Sequence, residues 1–203
     1  MSDINAIKNS RQYRIIQVCG VALTLRSKNK PLLNANLCFC KANDIDKILA
    51  LQDKAHSAMK QKEWFAHTSR AELEAAFGRG YPAVAVICGE KMIAFAYLIL
   101  SPDSSQSLCQ YADFDILPYF GSDCVLDTVF VDPDFVGYGI QSLLIERLKR
   151  IAHENGKTSV WATVHPDNAF SSRNFIKSGF IKANSEPIEK HGGIRDVYCF
   201  DFC

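Results

Sequence analysis

No apolar run in this 203-residue chain approaches the roughly 20 residues that a membrane-crossing helix needs. The longest candidate, Ile15–Leu25, is interrupted by Gln17. It lacks a Lys/Arg-rich start and a small-x-small cleavage pattern, so it is not taken as a secretion signal. Charge of one sign is also missing: 23 Lys and Arg meet 22 Asp and Glu, for a net charge of +1. That excludes an acidic tail and gives no support to nucleic-acid binding through bulk positive charge. No C-x-x-C pair occurs, and no Cys/His group has zinc spacing. Most of the eight cysteines sit in apolar, strand-like runs, where cysteine behaves as a small hydrophobe. Repeats and low-complexity tracts are absent too. The expectation is a cytoplasmic protein with free thiols, no metal, no nucleic-acid partner and no membrane association.

What is present fits one globular domain with an appendage: 48% hydrophobic and 22% charged residues. Residues 1–36 differ from the rest. A polar start leads to the strand-like run Tyr13–Leu25 and then to the basic stretch R-S-K-N-K-P. This extension reads as an extra strand pair, an oligomer arm or a disordered tail, which leaves a homodimer open. The main domain is expected over 37–203. There Leu37–Lys41 is a short strand. Asn43 or Asp44 caps a helix whose face carries Ile45, Ile48, Leu49 and Gln52. Ser69 and Glu72 form a capping box ahead of a second helix that Gly78 stops. Ala83–Cys88 and Met92–Leu100 make a hairpin around Gly89-Glu90-Lys91. A long connection, 101–122, follows. Val125–Val131 is a strand, and Ile140, Leu143, Leu144, Leu148 and Ile151 mark a helix. Ser159–Val164 is a strand, Asn168–Ser178 a helix and Asp196–Phe202 a last strand. The order β-α-α-β-β-β-α-β-α-β is that of a mixed α/β sheet, with an early antiparallel hairpin and a late β-α-β unit.

Between a strand and a helix the chain reads V-F-V-D-P-D-F-V-G-Y-G-I-Q-S-L-L over residues 129–144. Glycine-rich turns at this place often hold phosphate. A Walker-type loop is excluded, since no Lys-Ser/Thr follows the glycines. A dinucleotide fingerprint fails by one glycine, at Ser142. About 60 residues then remain, too few for a doubly wound nucleotide domain. The remaining option is anion binding by the amides of a helix N-terminus, with Gly137 and Gly139 admitting close approach. A tight turn without a ligand is the plainer alternative.

Val131-Asp132-Pro133-Asp134-Phe135-Val136-Gly137-Tyr138-Gly139-Ile140 resembles motif A of the GNAT superfamily of acyl-CoA-dependent N-acetyltransferases, V-x-P-x-[YF]-[QR]-x-x-G-x-[GA]. Val136 and Gln141 depart from it. Asn168-x-x-Ser171-x-x-x-Phe175-x-Lys177-x-Gly179-Phe180 resembles motif B, N-x-x-[AS]-x-x-x-[YF]-x-K-x-G-F, 29 residues on from Gly139 to Asn168. The resemblance implies a GNAT-like, mostly antiparallel sheet in which Val125–Val131 and Ser159–Val164 lie parallel and splay apart. Pantetheine of acetyl-CoA, the co-substrate, would lie in the gap against the backbone of Val129, Phe130 and Val131. Amides of Gly137, Tyr138, Gly139, Ile140, Gln141 and Ser142 would cradle its pyrophosphate. Asn168, with Ser171, Phe175 and Lys177 of motif B, would form the other wall.

The implied chemistry is acyl transfer by direct attack of a primary amine of a small molecule or peptide. Asp127 is the base candidate, as an isolated carboxylate in an apolar strand beside the thioester. Thr163 stands where some relatives carry a Glu base and cannot replace it. Phe175 occupies the place of the family's acid, a tyrosine. The thiolate then leaves unaided, Ser171 or Ser172 donates (Ser172 being the weak acid candidate), or the protein is a noncatalytic acyl-CoA sensor. A nicotinamide oxidoreductase is the third class considered. The acceptor pocket is expected from 44–77, 101–122 and the C-terminal turn. His191 and Arg195 would be on its wall, and Asp113 and Asp115 would draw in a cation. His165 reads as incidental.

Overall fold

The computed structural model describes residues 20–202. Twelve strands and helices follow in order. They are β1 (Val21–Ser27), β2 (Lys30–Phe39), α1 (Ile45–Ser57), α2 (Arg70–Gly78), β3 (Ala83–Cys88) and β4 (Lys91–Ile99). Then come β5 (Asp123–Val131), α3 (Ile140–Glu154), β6 (Ser159–Val164), α4 (Ala169–Lys177), β7 (Ile181–Ile188) and β8 (Gly193–Asp201). All strands join one sheet in the order β1-β2-β3-β4-β5-β6-β8-β7. Every neighbouring pair is antiparallel except β5 and β6, which α3 connects in parallel.

The sequence explains the centre of this sheet. β4 is apolar without alternation, and Ile93, Ala94, Phe95, Ala96 and Leu98 are all 0% exposed. Such a strand needs cover on both faces. α1 and α3 pack on it. The stripe Ile140, Leu144, Leu148 and Ile151 of α3 is buried as its period predicts. The capping box of α2 is formed, with Ser69 and Glu72 exchanging bonds.

Several local readings change. β7 was not anticipated. It is an edge strand, polar on its outer face, and it carries Pro187, which only an edge tolerates. β2 begins at Lys30 and runs unbroken through the 36/37 boundary, paired on both sides. The described part of the extension is thus the strand pair among its alternatives, and the stretch R-S-K-N-K-P is the hairpin turn with its flanks. The part of the Tyr13–Leu25 run before Gly20 lies outside the described residues. α2 is stopped by Gly80, at φ +71°, and not by Gly78. The β3–β4 turn is two residues, since Cys88 pairs with Lys91. Gly89 at φ +59° fits the II′ turn that such a hairpin favours. Asp44 precedes α1, but its carboxylate takes the Lys41 N–H at 2.9 Å instead of capping that helix. Leu51 joins the buried face of α1, while Leu49 is half-buried. No disulfide joins the described cysteines. Burial pushes the Cys199 thiol up to about 12, so it is inert as a nucleophile at neutral pH. Cys19 and Cys203 lie outside the described residues.

Candidate functional site

The parallel pair is short. β5 and β6 are in register only at Asp123–Ser159, Cys124–Val160 and Val125–Trp161. Beyond these, β5 continues to Val131 paired only with β4, and β6 continues to Val164 paired only with β8. The facing edges of Leu126–Val131 and Ala162–Val164 thus lack a strand partner. Backbone amides and carbonyls there need other acceptors and donors. A cavity of about 490 Å³ opens between them. Val129, Phe130, Val131, Gly137, Gly139, Ile140, Gln141, Asn168, Ser171 and Phe175 line it, as does Asp127. Tyr138, Ser142, Ser172 and Lys177 are not on its wall.

The turn that enters α3 carries two left-handed residues, Gly137 at φ +97° and Gly139 at φ +71°. Space is open around Gly139, so its backbone angle is what demands glycine. The first amides of α3 have no intrahelical acceptor. Read as sequence, the loop carries no cation. The fold supplies three from elsewhere. Lys54 of α1 and Lys91 of β4 each lie 2.7 Å from the fully buried carboxylate of Asp132. Lys54 also reaches Asp134 at 2.5 Å. Burial alone would raise the Asp132 pKa, but the two lysines pull it below the usual carboxylate value. Lys30 donates to the carbonyls of Asp134 and Val136, both at 2.9 Å. Tyr138 donates to the Pro31 carbonyl at 2.7 Å. The β1–β2 hairpin and two lysines therefore hold the underside of the turn and leave its amides for the cavity. Nothing local in the sequence announces these contacts, which span up to 107 positions.

The second wall is fixed by α4. Asn168 accepts from the Ser171 amide at 3.1 Å, which leaves its NH₂ group for other work. Gln141, a departure from motif A, has a structural use: it donates to Ser171 Oγ at 3.0 Å and accepts from Asn174 at 2.8 Å. These bonds tie α3 to α4. Phe175 is 2% exposed and packs against Phe180 and Tyr198, with ring centroids 5.0 and 6.0 Å away. Among the described residues no tyrosine lines the cavity. Ser172 Oγ is buried without a partner and faces elsewhere. Lys177 is exposed at the end of α4.

Asp127 sits on a bulge. Tyr97 pairs with Thr128 and Leu98 with Leu126, which leaves Asp127 as the extra residue on β5. Bulges re-aim side chains, and this one places Asp127 on the cavity wall. Tyr97 donates to Asp127 Oδ2 at 2.5 Å and Thr128 to the same oxygen at 3.2 Å. Burial and the adjacent carboxylate both hold the Tyr97 phenol protonated, far above its ordinary value. Tyr97 was not foreseen as part of the site. Thr163, useless as a base, bonds His191 Nδ1 at 2.7 Å. Burial pushes the His191 ring down to about 4, against the opposing pull of Asp127.

The lining expected for an acceptor pocket differs in one respect. Met59, Trp64, Phe65, His67 and Glu72 line the cavity, together with Lys190, His191 and Arg195. No residue of 101–122 does. That connection packs elsewhere, with Phe114 stacked on Trp161 and Tyr119 bonded to Asp201 at 3.0 Å. Asp113 and Asp115 are exposed, and Asp115 caps its own turn at the Leu117 amide. His165 is likewise local, bonded to the Asp167 amide at 3.2 Å.

The model of the acetyltransferase (GNAT) family matches residues 45–180. Among solved structures, the GNAT domain of S. lividans PAT superposes with a TM-score of 0.66 at 15% identity, over 90% of this chain and 97% of that one. The Salmonella typhimurium protein yncA, solved with its cofactor acetyl-CoA, gives 0.61 at 20% identity, over 83% and 94%. The ribosomal-protein-S18-alanine N-acetyltransferase of Escherichia coli gives 0.60 at 19%, over 82% and 93%. At these identities the likeness is one of fold. A comparison with curated proteins gave no match. Among the described residues no helix is long and apolar enough to cross a membrane, and no group of metal-ligating side chains is assembled.

Proposed function

The chain belongs to the GNAT acetyltransferase family, and from that premise we propose that it transfers an acetyl group from acetyl-CoA to a primary amine of a small molecule or peptide. The observation that carries this reading is the unpartnered β5 edge opposite β6. Pantetheine supplies the missing strand there, bonded by the backbone of Val129, Phe130 and Val131. One of these amides polarises the thioester carbonyl as an oxyanion-type donor. The pyrophosphate lies on the amides of residues 137–142, and the Asn168 NH₂ holds the pantetheine from the α4 side.

Asp127 then takes a proton from the incoming ammonium, since only the neutral amine attacks. The nitrogen adds to the thioester carbon, the C–S bond breaks with its electron pair on sulfur, and the proton left on the nitrogen passes to the departing thiolate or to solvent. Ser172 Oγ lies off the cavity, and Ser171 Oγ, which accepts from Gln141, keeps its own proton, so the thiolate departs either unaided or with a proton from Ser171. A thiol near pKa 8.5 is a tolerable leaving group.

Calorimetry with acetyl-CoA tests the first half. Binding is expected in the native chain and lost in Gly139→Asp, where a side chain is forced into left-handed backbone and adds an anion. Undiminished binding in that variant refutes the loop assignment. Phe175 favours a second reading, a noncatalytic acyl-CoA sensor. Release of free thiol from acetyl-CoA over an amine panel, above the rate without acceptor, excludes it.

A further inference from the structure

We infer that the acceptor is an amino acid, its amine presented to Asp127 and its carboxylate bound by Arg195. This rests on the acyltransferase reading and narrows it. The wall of the cavity carries side chains of both charges. Asp127 and Glu72 provide its carboxylates, and Lys190 and Arg195 its cations. The His191 ring, on the same wall, feels the carboxylate of Asp127 and, in the opposite sense, the charges of Lys190 and Arg195.

Arg195 is the informative group. It is 4% exposed and lines the cavity. Its Nε donates to the His191 carbonyl and its Nη2 to the Glu63 carbonyl, each at 2.9 Å. Nη2 also makes a short bond to the His191 carbonyl. Both acceptors are neutral dipoles. Among the described residues no carboxylate forms an ion pair with it. Burial lowers its pKa with no anion opposing. A buried guanidinium without a counter-charge is costly. A purely structural staple between β8 and the segment before α2 would need only the two carbonyl bonds, which a neutral donor can make. The uncompensated charge and the spare Nη1 fit a ligand carboxylate, which the planar fork of arginine suits. Met59, Trp64 and Phe65 of the same cavity offer an apolar wall for a side chain.

The test pairs each amino acid with its decarboxylated amine: phenylalanine with phenethylamine, leucine with isoamylamine, lysine with cadaverine. Thiol release from acetyl-CoA is measured for the native chain and for Arg195→Gln and Arg195→Lys. The native chain should prefer at least one amino acid over its amine. Arg195→Gln should lower kcat/KM for that amino acid by roughly 10- to 100-fold, the range for losing a charged hydrogen bond, with a smaller loss on the amine. Arg195→Lys should restore part of the preference. Acetyl-CoA affinity and the melting temperature of each variant report whether it is folded. The inference is overturned if the native chain favours the amines, if it acetylates no amino acid while binding acetyl-CoA, or if Arg195→Gln lowers both partners equally. Absence of acetyl-CoA binding in the native chain would instead bring down the acyltransferase reading, and this inference with it.

Discussion

The proposed chemistry turns on Asp127, Phe175 and His191, and each supports a measurement. Asp127 was legible in the sequence as a lone carboxylate in an apolar strand. Its bulge and its Tyr97 partner were not, because both depend on register with β4. Asp127→Asn keeps the shape and removes the proposed base. It should lower kcat by roughly 10²–10⁴-fold on any acceptor, the usual weight of a general base. An unchanged rate between about pH 6 and 9 would assign the proton elsewhere. Phe175→Tyr returns a hydroxyl to the wall of the cavity. A faster turnover would mean that thiolate departure limits the native enzyme; an equal rate would mean that it does not. Burial pushes the His191 ring down to about 4, so it is neutral at neutral pH and gains its charge only in acid. The pH–rate profile should therefore lack an inflection near 6.5, where an exposed histidine would place one.

At the scale of elements, the turn into α3 is held from beneath by the β1–β2 hairpin, α1 and β4. Lys30 bonds two carbonyls of the turn, and this fixes where its amides point. Lys30→Ala should raise KM for acetyl-CoA by roughly 2- to 10-fold, the worth of one or two such bonds. KM for acetyl-pantetheine, which has no pyrophosphate, should stay as it was. A parallel rise for both donors would show general loosening instead. Asp132 carries the other two lysines. Its folded pKa is depressed, so its contribution is complete above the unfolded value of 3.8. That contribution fades as pH falls below it through the folded value. Asp132→Asn should cost about 1–3 kcal/mol at neutral pH, the range for stranded buried partners, and the difference from the native chain should shrink in acid melts. These elements also mark the limit of sequence reading. Strong periodicity gave α3, and β-rich runs around the Gly89 turn gave the hairpin of β3 and β4. β7 escaped because an edge strand with one polar face and a proline carries no such pattern. The lysine clamp escaped because its members are separated by scores of residues and meet only in the folded sheet.

The whole molecule is two half-sheets. One is β1 to β5, the other β6, β8 and β7, and they share three residue pairs before they part. The resemblance in two short motifs led to this parting, while composition and periodicity alone reached only a mixed α/β sheet. A ligand that lies in the gap bonds both halves at once, through the β5 edge and Asn168. It binds only where the halves are correctly placed, so it should stabilise the folded chain by mass action. At a hundredfold excess over Kd the gain is about 2.7 kcal/mol, or roughly 5–11 °C in Tm for a chain of this size. Amide exchange should slow at Leu126–Val131 and Ala162–Val164, the edges without a strand partner, and little within β3 and β4, whose bonds are already made. Gly139→Asp should forfeit both effects. A melting shift of the same size in that variant, or protection confined to surface loops, would mean that acetyl-CoA binds outside the gap and that the parted strands serve another ligand.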